Sequence, residues 1–122
     1  MEQARLHVDN TWEAVTLCGL HVLTGQCDKA VGLLNTARAE GISTSGEHVL
    51  DLERALSDYA AWSGSRSAHS EFLLLISGIS DPWRHQHRDE LHSAIDQFRA
   101  KHGKEAPTLL SVVEAFVQVG GL

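Results

Sequence analysis

Residues 11–44, TWEAVTLCGLHVLTGQCDKAVGLLNTARAEGIST, constrain the fold more than any other stretch, because they read as two short helices packed back to back. Leu17, Cys18 and His21 lie on one side of the first helix. Gly25 ends it, and Asp28 can cap the second. Ala30, Leu34 and Ala37 recur at i, i+4 and i+7 along that second helix, and Gly41 closes it. Helices approach closely only where side chains are short, so Cys18, Ala30 and Ala37 mark the seam.

The rest of the chain continues in the same style. It holds only two prolines and almost no β-branched alternation, which makes helix the dominant expectation. Asn10 with Glu13 forms a capping box for the first main helix, which runs to Gly25. The second helix spans about 28–40, and residues 41–47, GISTSGE, make a loop. Ser45 can cap a third helix that buries Val49, Leu52, Leu56, Tyr59 and Ala60, and Ser63-Gly64-Ser65 breaks it. A fourth covers about 67–77 and contains EFLLLI, apolar enough for the centre of a core. Asp81-Pro82 caps a fifth that continues to His102, with Trp83, Leu91, Ala94, Ile95 and Phe98 on one stripe. Pro107 opens the last helix, which stops at Gly120-Gly121. Residues 2–8 allow one further short helix. The fold expected is all-α, a single domain over 1–122 made of about six helices in three helix-turn-helix pairs.

Charge narrows the partners. The net charge is −6, and the ten Lys and Arg are scattered, so no phosphate-binding face forms and nucleic acid is not expected. The apolar runs are far shorter than a membrane span. The polar opening MEQARLHVDN has no apolar leader core, and a cytoplasmic location is the expectation. Cys18 and Cys27 both fall in apolar helical pattern and read as reduced thiols, though facing helices leave a disulfide open.

Chemistry is sparse. Eight histidines is a high count, densest in DPWRHQHRDELH, residues 81–92. On one helix His85, Asp89 and His92 would share a face, but i to i+7 spans about 10.5 Å, too far for one metal ion. A solvated polar face is the expectation there, and no metal or other cofactor is expected. His87 falls on the Trp83–Leu91 stripe and reads as half-buried and hydrogen-bonded. Cys18 and His21 could touch, yet a nucleophile needs an exposed, activated thiolate, so packing is the better account and no enzyme is expected. Gly19 and Gly32 sit inside helices at about 1 kcal/mol each relative to Ala. Either they permit close helix contact or they leave room for a partner's backbone.

The segment 108–122 is apolar nearly all round. Leu109, Leu110, Val112, Val113, Ala115, Phe116, Val117 and Val119 leave only Ser111, Glu114 and Gln118 as polar punctuation. Such a helix is either buried centrally or meets another chain, a copy of itself included, through Val113, Phe116 and Val117.

The spacing of residues 11–44 resembles the tetratricopeptide repeat, a 34-residue helix–turn–helix unit. Leu17, Ala30, Leu34 and Ala37 fall where that family has large, small, large and small residues, with Cys18 a small stand-in. Ala14, His21 and Ile42 depart from the pattern, and Leu56 and Gly64 follow Leu17 and Gly25 at thirty-nine residues rather than thirty-four. The resemblance implies a protein-binding module. Small acidic proteins of this kind include the chaperones of bacterial type III secretion, which hold a partner's amphipathic helix in a concave apolar groove. Residues inward on the first helix of each pair would line it: Trp12, His21, Tyr59 and His87. A second reading is a small acidic inhibitor or immunity protein that covers a basic site on its target.

Overall fold

The computed structural model describes residues 11–39 and 46–120. Among them the chain is entirely helical, with six α-helices and no strand: α1 (Thr11–Leu23), α2 (Cys27–Ala39), α3 (Gly46–Ala60), α4 (Arg66–Ser80), α5 (Arg88–His102) and α6 (Pro107–Gly120). A 3-10 turn, Arg84–His87, precedes α5. The capping box at Asn10, the cap at Ser45, the stop at Gly41 and the helix at 2–8 lie outside the described residues.

The first turn closes as its composition dictates. Gly25 takes a φ of +75°, open to glycine at no steric cost. Gly25 N–H donates to the Val22 carbonyl at 3.1 Å and Gln26 N–H to that of His21 at 2.7 Å, the paired bonds of a Schellman stop. Ala30, Leu34 and Ala37 are buried on α2, while Ala14, Val15, Cys18 and Val22 form the inner face of α1. Leu17 is only partly buried.

Gly19 and Gly32 differ in their surroundings, and only Gly19 stands at a close helix contact. A Cβ on Gly19 would collide with Ser80 Oγ and lie 2.5 Å from Ser80 Cβ, so glycine there sets how closely α1 and α4 approach. Gly32 meets nothing within 4 Å.

The helix α6 takes the central position of the two open to it. It packs on α1, α3, α4 and α5, and Leu109, Val112, Val113 and Phe116 are fully buried. Its apolar circumference is therefore used within the fold. Of the three expected pairs, α1–α2 and α5–α6 pack together. Among the described residues α3 and α4 do not run side by side: α3 lies on α2 and α6, and α4 on α1, α5 and α6.

The fifth helix is shorter than its apolar stripe suggests. Asp81, held extended before Pro82, accepts the Trp83 N–H at Oδ1 at 2.8 Å. The 3-10 turn follows, and His87, at φ −117° and ψ 24°, breaks the helix before Arg88. That break resets the helical phase. Trp83 is consequently 61% exposed, and Arg84 is the fully buried residue in its place. Burial lowers the Arg84 pKa to about 10, which still leaves the guanidinium charged.

Candidate functional site

The two turns that join α1 to α2 and α3 to α4 lie together and bound an open cleft of about 600 Å³. Its floor and walls come from Cys27, Tyr59, Trp62, Arg66 and His69, with Gly25 and Gly64 in the turns themselves.

Three rings build the wall, Tyr59 from α3, Trp62 from the turn and His69 from α4, with Phe72 of α4 beneath them. Tyr59 leaves the last turn of α3 and His69 the first turns of α4, and the Tyr59 hydroxyl lies 2.7 Å from His69 Nε2. The Trp62 and His69 rings stack at 5.9 Å and 29°, and His69 stacks on Phe72 at 6.0 Å and 22°. Tyr59 completes the cluster against Phe72 at 4.9 Å. Phe72 is fully buried and fixes the other three to the core.

Local sequence chemistry sets this up. Trp62 N–H donates to the Tyr59 carbonyl at 2.9 Å as α3 ends, and Ser65 caps α4 by accepting the Ala68 N–H at Oγ. Gly64 is needed between them, since a Cβ there would come within 2.5 Å of the Trp62 ring.

Burial holds the thiols beside the cleft in their neutral form. Burial, then the neighbouring Cys27, pushes the Cys18 thiol up to about 12. Cys27 is raised by burial and then by Asp28, and Tyr59 by burial and then by Cys27. Both cysteines are free thiols, and both are protonated at neutral pH, the wrong state for a nucleophile. What the cleft offers is three partly buried aromatic faces, an exposed guanidinium at Arg66 and an exposed carboxylate at Asp28.

The residues expected to bind a partner do not converge. Tyr59 alone lines the cleft. The Trp12 side chain lies outside the described residues. His21 is partly buried at the end of α1 and serves the turn through its carbonyl. His87 is exposed rather than half-buried, because the helix breaks at it, and its Nδ1 lies 3.0 Å from Glu90 Oε1. Val113 and Phe116 are core residues with no surface to present, and Val117 is partly buried beside the α5–α6 groove. His85 sits on the 3-10 turn while Asp89 and His92 belong to α5. No group of three or more His, Cys, Asp or Glu converges as a metal site among the described residues. None of their helices is long and apolar enough to cross a membrane.

Trp62 and His69 were not signalled by the sequence. The clue available was the i, i+3 pair of Tyr59 and Trp62 just before a Ser-Gly-Ser turn, with histidine and phenylalanine at i, i+3 just after it. No family model, curated protein or solved structure matches this chain.

Proposed function

We propose that the chain is a protein-binding module that takes an extended or helical segment of a partner in the cleft between the α1–α2 and α3–α4 turns. The ring cluster carries this reading. Tyr and Trp supply large, rigid contact area at small entropic cost, which is why such residues dominate binding hot spots. Arg66 and Asp28 at the rim add polar selectivity without closing the opening. A chaperone of the type III secretion kind, working in the cytoplasm, is one form of this reading and would grip an apolar partner segment.

The inhibitor reading draws on a different face. Between α3 and α6 a groove of about 370 Å³ is lined by Asp51, Asp58 and Glu114, with Arg54 the one cation among its lining residues. A basic target would meet it there, and that binding would weaken steeply with salt, whereas binding at the ring cluster would not.

Panning a random-peptide display library against the folded chain tests the proposal. Enrichment on the wild type that is lost on Trp62→Ala and survives high salt supports it. Enrichment indifferent to Trp62→Ala, or none at all, contradicts it.

A further inference from the structure

At the far end of α5 a histidine is buried between two carboxylates. His102 has a side chain only 5% exposed, and its Nδ1 lies 3.0 Å from Glu105 Oε1 in the α5–α6 turn. Its Nε2 lies 3.3 Å from Glu71 Oε2 on α4, a charge contact without the alignment of a hydrogen bond. The ring packs on Phe98 at 5.1 Å. Lys101, one residue back, also holds Glu71 Oε2, at 2.9 Å.

A neutral imidazole has one N–H and one lone pair. With a carboxylate oxygen against each nitrogen, either tautomer turns that lone pair toward negative charge. Only the imidazolium satisfies both contacts, so protonation converts one repulsion into an attraction. We infer that His102 is a proton-operated latch that ties α4 to the α5–α6 turn when charged and loosens it when neutral.

The charged groups that act on the ring are Glu105 from the turn and Glu71 from α4, with Lys101 of α5 reaching it through Glu71; no group of α6 enters the set. Glu105 is the larger influence, and together the two carboxylates raise the His102 pKa above its ordinary 6.5. The sign follows by linkage. A raised folded-state value gives stability that is fully present below about 6.5 and is lost as pH climbs through the folded value. The consequence is local as well as global, because Glu71 and Phe98 line the α4/α5 groove beside Leu74, which is 73% exposed. Releasing the latch therefore removes one of the two cationic contacts on Glu71, at the edge of that groove, and leaves Lys101 as the other.

NMR titration of the His102 ring in the full chain tests this, with hydrogen exchange read on either side of the midpoint. We expect a midpoint above 6.5, lowered by Glu105→Gln and less so by Glu71→Gln, and amide protection over residues 98–106 that falls above it after correction for intrinsic exchange. Because the wild type alone yields the midpoint, poor folding of either variant does not spoil the test. A midpoint at or below 6.5, or one that neither variant moves, overturns the inference. Unchanged protection across the midpoint overturns the latch as well, leaving an ordinary titrating histidine.

Discussion

Two stretches of this chain set histidine beside tryptophan, and the fold treats them in opposite ways. From Tyr59 to Phe72 four rings, three on α3 and α4 and Trp62 in the turn between them, pack on one another and on the core. From Trp83 to His92 the histidines are closer together in sequence, yet Trp83, His85 and His87 point outward and only Arg84 is fully buried. The difference lies in what stands between the residues. A capped turn folds the first stretch back on itself, whereas a 3-10 turn and a helix break unroll the second. Density along the chain is a poor guide to density in space.

The comparison can be broken most forcefully at its anchors. Phe72→Ala removes the one fully buried ring beneath the cluster, and loss of a buried Phe typically costs about 3–5 kcal/mol. Urea unfolding should register that loss, and the Trp62 emission should shift toward that of an exposed indole. Arg84→Ala removes the one fully buried side chain of the second stretch. A cost of about 2–5 kcal/mol is expected from its volume alone, measured the same way.

Smaller changes sharpen the contrast. Tyr59→Phe deletes only the hydroxyl that meets His69 and should cost about 0.5–1.5 kcal/mol in thermal unfolding. His87→Ala removes an exposed side chain whose partner Glu90 is also exposed, and should stay within about 0.5 kcal/mol of wild type. A His87 variant more damaging than Tyr59→Phe would reverse the ranking of the two regions.

Much of the fold was legible in the residues. Ala30, Leu34 and Ala37 announced the buried face of α2, Gly25 the first turn and Pro107 the start of α6. These rest on local rules of periodicity and backbone freedom, which act within one or two helical turns. Gly19 and Gly32 mark where such rules stop. Both weaken a helix equally by propensity, and only the position of Ser80, sixty-one residues away from Gly19, separates a close crossing from open space. The same limit hid the cleft and the His102 clamp. Each needs partners from different helices, and helix periodicity carries no information on which helix will be the neighbour. The Trp83–Leu91 stripe failed for another reason: it assumed unbroken α-helix through Pro82–His87, and phase is lost once the turn tightens.

The central claim is that the chain meets its partner at the ring cluster, and the most direct measurement is amide chemical-shift mapping with a peptide selected against the wild-type chain. Perturbations confined to residues 25–28 and 59–69, and absent in Trp62→Ala, are the predicted result. Shifts centred on residues 83–92, or on the acidic groove between α3 and α6, would contradict it.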